Sequence, residues 1–340
     1  MGGLSSSRAL FERAAPAALL VLLTALRAVP QGLPQDAPEQ TSPPLRVSVD
    51  RVNIGVIVTN SKGDFIENLG RDQFEIFDDG VPQPLTAFLS VDDPAQIVLM
   101  LECGPAVYFF RDDLIRAADT LLTRLAPADR VAIVCYDSSP DLRLDFTPNK
   151  DEARLALRDL NFMMGFGEVN LTSSLFSVLH WLQAVPGKKT IVLVTSGVDS
   201  SPPKDPTTLR QKLDASDVRI LAVSTAEQMQ KPPHQGRFWR SKVPPEQVKA
   251  RAEVKQVLSQ ASGSLREISE ITGGRVYTPK TSKDFDRAYG EIAEFVRHEY
   301  DLEFSPPVHD GKLHTIEVRV KHHSYQLIHR EAYLAPQPSS

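Results

Sequence analysis

Three short, unbroken apolar runs, Ile97–Leu101, Val131–Val134 and Ile191–Val194, constrain this chain more than any other feature, and a fourth, Val218–Val223, is interrupted only by Arg219. A strand with water on one face alternates apolar and polar residues, so a run with no polar member fits a strand covered on both faces. Between the runs lie segments with helical spacing. Leu114, Ala118, Leu121 and Leu125 recur every three or four residues, with Ile115 and Leu122 widening the stripe. Leu171, Leu175, Val178, Leu179 and Leu182 do the same further on. Lys150–Leu160, Thr207–Ala215, Leu265–Ile271 and Asp284–His298 complete the helical segments. This alternation predicts an α/β fold, a doubly wound and mostly parallel sheet between helical layers. Leu142–Phe146 reads as an edge strand, and Arg275–Tyr277 as a short strand after the Gly273-Gly274 helix stop.

Both ends of this block are β-rich. Val47–Val49, Ile54–Val58, Phe74–Phe77 and Leu85–Leu89 are short strands punctuated by turns at 61–64 and 78–80. After the last helix, Leu302 and Phe304 alternate with polar residues, as do Ile316, Val318 and Val320, in the manner of half-buried strands. The expected architecture is therefore one β-sandwich, formed by N- and C-terminal strands, with the α/β domain inserted between its halves. The expected organisation is a signal peptide over 1–28, a disordered linker over 29–44, an N-terminal β unit over 45–92, an α/β domain over 93–298 and C-terminal strands over 299–335. Glu227–Pro245, with Phe238 and Trp239, reads as an exposed insertion loop.

The leader assignment rests on Arg8 and Arg13 ahead of an apolar run from Ala14 to Leu26, then small residues Ala25 and Ala28. The run is shorter than the roughly 20 residues a membrane span requires. The expectation is an exported protein, periplasmic or extracellular, with no integral span after signal removal. Lysine and arginine number 38 against 43 acidic residues, for a net charge of -5. Removing 1–28 takes away three arginines and one glutamate, which moves the net charge to -7. Without a basic block, nucleic acid is a poor partner.

In open parallel sheets, ligands bind at the carboxyl ends of strands, near the point where strand order reverses. Three segments fall there: Glu102-Cys103-Gly104-Pro105-Ala106, Asn170-Leu171-Thr172, and Thr195-Ser196-Gly197-Val198-Asp199. The layout resembles a von Willebrand factor type A (VWA) domain, and more narrowly the exported bacterial VWA-related proteins with a β-rich lead-in and tail. The resemblance spans about 45–335. It is carried by Phe74–Gly80, Asp129–Val134, Thr272–Arg275, and Tyr300 followed by Arg330-Glu331-Ala332-Tyr333.

The resemblance implies an Asp-x-Ser-x-Ser motif, a threonine and an aspartate that together hold Mg²⁺ through oxygen ligands. Here those positions fall on Glu102, Gly104, Ala106, Thr172 and Ser196. Only Thr172 matches. Gly104 and Ala106 bring no side-chain oxygen, Ser196 brings no charge, and Glu102 carries its carboxylate on a longer arm. The expected state is a decayed metal site, with Glu102 bonded instead to neighbouring amides or hydroxyls. The alternative is a Mg²⁺-dependent adhesion module using Glu102, Thr172 and Ser196. The candidate ligand-binding crest comprises Glu102, Cys103, Gly104, Thr172, Ser196 and Asp199. The implied activity is protein–protein or surface interaction without catalysis, with an unidentified protein partner and no cofactor.

Competing chemistries have weaker support. Gly165-Phe166-Gly167 follows no strand and lacks a Lys-Ser/Thr pair, so a phosphate loop is not expected. No nucleophile elbow is present, and no histidine adjoins either cysteine. A carboxylate-dependent hydrolase or transferase would use Glu102 and Asp199 as its pair. Six of the eight histidines lie between His298 and His329; alternating strands place them on a solvated face rather than in a metal or pH-sensing cluster. His180 is expected at the surface. Cys103 and Cys135 end neighbouring strands; an exported protein permits a bridge across the strand tips, while two reduced thiols are the expected state because Cβ geometry between parallel strands rarely suits a disulfide.

Overall fold

In this computed structural model the residues described are 51–337, except 106, 165, 166, 204, 206, 230–244 and 322. The leader, the linker and Val47–Val49 lie outside them, as do Ala106, Phe166, His322 and the aromatic residues Phe238 and Trp239.

The lead-in contributes β1 (Val52–Thr59), β2 (Phe74–Asp78), β3 (Val81–Gln83) and β4 (Leu85–Leu89). The central block runs β5 (Ala95–Glu102), α1 (Arg111–Arg124), β6 (Arg130–Tyr136), β7 (Pro140–Thr147), α2 (Lys150–Arg158), α3 (Leu171–Leu182) and β8 (Lys188–Thr195). It continues through α4 (Thr207–Asp214), β9 (Arg219–Ser224), α5 (Ala226–Met229), α6 (Pro245–Ile271), β10 (Arg275–Tyr277) and α7 (Ser282–Arg297). The tail supplies β11 (Glu299–Phe304), β12 (Leu313–Val320), β13 (Gln326–Ile328) and β14 (Ala332–Leu334).

The central sheet has the order β10-β9-β8-β5-β6-β7. Its neighbours are parallel except for β7, which runs antiparallel to β6 at the edge. The apolar runs lie in the interior strands because each sends side chains into two cores. Ile97, Leu99 and Leu101 pack on one face with residues of α1, α2 and α7. Val98 and Met100 pack on the other with α3, α4 and α6. Strand order reverses between β5 and β8, so their carboxyl ends form the switch point of a doubly wound fold.

Two four-stranded sheets, β13-β1-β11-β4 and β14-β12-β2-β3, each combine lead-in and tail strands. Their facing side chains, including Ile54, Val56, Phe74, Ile76, Leu302, Phe304, Ile316 and Val318, form a third core. β12 alternates strictly between buried and exposed positions. β11 does not, and is buried on almost its whole length. Its second face, bearing Glu299 and Asp301, turns toward the amino-terminal ends of β8 and β9. There Arg219 and Glu299 form an ion pair at 2.8 Å with both side chains about 5% exposed, and Arg219 also donates to the Gly55 carbonyl at 2.7 Å. Arg330 donates to the carbonyl of Asp214 at 2.6 Å and to that of Ser216. These buried charges account for polar residues in β11 that alternation alone assigns to solvent.

α6 is much longer than the Leu265–Ile271 segment expected from apolar spacing. Its amino-terminal half is polar but rich in Ala, Glu, Gln and Lys, which favour helix without an apolar stripe. Among its described side chains, the buried apolar ones are Leu258, Ala261, Leu265 and Ile268. Among the described residues, no helix is long and apolar enough to cross a membrane.

Candidate ligand-binding crest

Glu102 is the last residue of β5 and is fully buried. Its carboxylate faces the carboxyl end of β8 across the switch point. Oε2 accepts from the Thr195 hydroxyl at 2.9 Å, the Ser196 backbone N–H at 2.6 Å and the Ser196 hydroxyl at 2.9 Å. Oε1 lies 3.1 Å from the same hydroxyl. Tyr136, ending β6, extends the network by donating its hydroxyl to Thr195 Oγ1 at 2.8 Å. Burial raises the Glu102 carboxyl above its ordinary range, opposed by the bonds from Ser196 and Thr195. Burial, together with the Glu102 charge, pushes the Tyr136 phenol well up.

Asp199 takes a different role from the one its position invites. Its Oδ2 accepts the backbone N–H of Thr172 at 2.9 Å and its Oδ1 that of Ser201 at 3.1 Å. Asn170, the residue before α3, makes no side-chain capping bond. Asp199 therefore caps α3 from a separate loop, placing a carboxylate against the positive end of the helix dipole. Thr172 is buried in the first turn.

The crest thus contains two pairs, Glu102 with Ser196 and Asp199 with Thr172, joined by the loop 196–199. Its donor set does not suit an octahedral cation. The Glu102 oxygens are already engaged with hydroxyl and amide donors. A Cβ at Gly104 would stand 2.8 Å from Val169 Cγ2, so the space a serine there would need is occupied. Both carboxylates already accept hydrogen bonds, Glu102 from Thr195 and Ser196 and Asp199 from the backbone N–H groups of Thr172 and Ser201.

The cysteine expectation is corrected. Cys103 and Cys135 form a disulfide with their Cα atoms 5.8 Å apart. The residue opposite Cys135 in the parallel register is Leu101, not Cys103. Cys103 lies just past β5, bonded through its N–H to the Tyr136 carbonyl at 2.7 Å. The bridge is therefore diagonal across the strand ends, with both sulfurs on the face of Leu99 and Leu101.

The bridge anchors a loop pair with exposed apolar tips. The Met163 N–H donates to the Cys103 carbonyl at 2.8 Å, which ties the segment before α3 to the turn after β5. Phe109 in that turn is 83% exposed, Met164 69% and Met163 43%. Sequence reasoning missed these residues and Tyr136, and it placed Thr195 at the strand end without giving it a role. The aromatic triplet Tyr108-Phe109-Phe110 after a strand-end turn and the Met163-Met164 pair before a helix carry no motif, although large apolar residues in loop positions were visible.

The histidine expectation also needs correction. His180 is exposed as expected, but His298 and His314 are buried. His314 occupies the inward face of β12, in register with Ile316 and Val318.

No family model matches this chain, and no curated protein matches it. Solved structures do. A von Willebrand factor type A protein from Catenulispora acidiphila is 11% identical, covering 77% of this chain and 73% of its own, with a TM-score of 0.44. BatB, a conserved hypothetical protein from Bacteroides thetaiotaomicron, is 9% identical over 60% of this chain and 99% of its own, at 0.40. An aerotolerance-related membrane protein from Bacteroides fragilis is 10% identical over 59% and 98%, at 0.39. One of these three carries the VWA name; the doubly wound sheet is established by the strand order itself.

Proposed function

We propose that this is an exported, non-enzymatic protein-interaction module whose crest binds a protein partner without a metal ion. The supporting observation is the exposure of Phe109, Met163 and Met164 on loops held by the Cys103–Cys135 bridge. Large apolar side chains on a restrained surface are the usual anchors of a protein contact, and methionine adapts to an irregular partner. Export is supported by the leader over 1–28 and is compatible with a disulfide. The Mg²⁺-dependent alternative loses support because Glu102 is committed to Thr195 and Ser196. The hydrolase alternative loses support because Asp199 caps α3.

The test is a comparison of the intact chain with a Phe109→Ser/Met164→Ser variant. Partners captured from an envelope extract of the source organism are identified, purified and titrated against both. The reading expects a purified partner to bind the parent chain and to bind the variant at least tenfold more weakly, with equal melting temperatures. Equal affinity for both would contradict it.

A further inference from the structure

Three side chains in the second sheet of the sandwich each present one atom to a common point and hold their other polar atom elsewhere. Asp78 ends β2, Asp79 opens the following turn, and His314 lies near the start of β12. His314 Nδ1 is 3.1 Å from Asp78 Oδ1 and 3.0 Å from Asp79 Oδ2. The remaining Asp78 oxygen accepts from the Tyr333 hydroxyl at 3.1 Å. The remaining Asp79 oxygen accepts the Thr315 N–H and hydroxyl, both at 2.8 Å. His314 Nε2 faces Asp310 Oδ1 at 3.2 Å. Asp78 is 3% and His314 8% exposed, whereas the Asp79 side chain is 53% exposed and opens the point to solvent.

Three carboxylates, those of Asp78, Asp79 and Asp310, surround His314, and Lys312 Nζ stands 3.6 Å from Asp310. When a cation replaces the Nδ1 proton, the imidazole keeps its Nε2–H toward Asp310 and turns its Nδ1 lone pair into the space between the two aspartate oxygens. A carboxylate behind an imidazole is the usual outer-shell support of a metal-ligating histidine. Donor atoms about 3 Å apart also match neighbouring ligands around a cation bound at roughly 2.0–2.2 Å.

We propose that Asp78, Asp79 and His314 bind a first-row divalent cation of the Zn²⁺ class, with solvent completing its coordination beside Asp79. One nitrogen and two oxygens in a compact set suit such an ion better than Ca²⁺, which takes six to eight oxygens. The ion joins β2 of the lead-in to β12 of the tail, residues 236 apart in sequence. It closes the sandwich around the inserted α/β domain.

The experiment is a calorimetric titration of the untagged, chelator-treated chain with Zn²⁺, alongside Asp79→Asn and His314→Gln. One Zn²⁺ per chain is expected, weakened at least tenfold in each variant, with Zn²⁺ raising the melting temperature of the parent chain only. Ca²⁺ is expected to do neither. Asp79 is exposed and its asparagine retains the oxygen facing Thr315, so that variant remains informative if His314→Gln fails to fold. Absence of Zn²⁺ binding, or equal affinity in Asp79→Asn as exposed His309 and His323 would produce, overturns the proposal.

Discussion

Glu102 and Ser196 hold each other across the switch point of the sheet, the carboxylate taking both the backbone N–H at 2.6 Å and the hydroxyl at 2.9 Å of a single residue. The end of β5 is thereby latched to the end of β8 at the place where a doubly wound fold ordinarily opens its ligand crevice.

Replacing Glu102 by Gln keeps the shape but turns an NH₂ group toward donors. Ser196 or Thr195 then loses its acceptor while remaining buried. The expected cost is about 2–4 kcal/mol, since a buried charged acceptor is replaced by a mismatched one. Urea denaturation of the variant and the parent chain measures it, and a loss below about 0.5 kcal/mol would contradict the latch.

Asp301 supplies a pH signature. Burial raises its pKa from 3.8 to about 8, helped by Glu299 and Asp217 and opposed by Lys189 and Lys188. A carboxyl with a raised folded pKa stabilises fully below its unfolded value, and that contribution disappears as pH rises through the folded value. The parent chain should therefore lose stability between about pH 4 and about pH 8. Asp301→Asn should lose less over the same interval. Denaturation midpoints across that window decide it, and parallel curves would refute the assignment.

Arg219 and Glu299 are an ion pair within the layer that seats β11 on the α/β domain. Arg219→Met strands a buried carboxylate and should cost roughly 3–5 kcal/mol. Combining it with Glu299→Gln should cost less than the two single changes together, and a double-mutant cycle reads the coupling directly.

The disulfide spans 32 residues. Chain-entropy reasoning for a loop of that length gives a stabilisation of roughly 3–4 kcal/mol. Cys103→Ala/Cys135→Ala should lower the unfolding free energy by about that amount. The oxidised parent chain should take up no alkylating reagent under denaturing conditions. Labelling of two thiols would contradict the bridge.

The fold was legible because its strands obey burial: a run such as Ile97–Leu101 leaves little choice beyond the interior of a covered sheet. The short strands β3, β13 and β14 were not, since three residues such as Ala332–Leu334 hold no period. Their pairing is decided by partners far along the chain. At the crest, Glu102, Ser196, Thr172 and Asp199 could be placed at one end of the sheet. Their pairing could not, because it depends on which side-chain oxygen meets which backbone N–H. The capping of α3 by Asp199 is one such case, bridging 27 positions. His314 was misassigned because alternation fixes which residues share a face but not which face turns inward.

The central claim is that the crest is held by Glu102 and its hydrogen bonds in place of a metal ion. The most direct measurement is thermal melting of the Asp79→Asn chain, which removes the sandwich cluster from consideration, with and without millimolar Mg²⁺. The account predicts an unchanged melting temperature, and a further Glu102→Gln change that lowers it equally in both conditions. A Mg²⁺-dependent rise that Glu102→Gln or Thr172→Ala abolishes would contradict it.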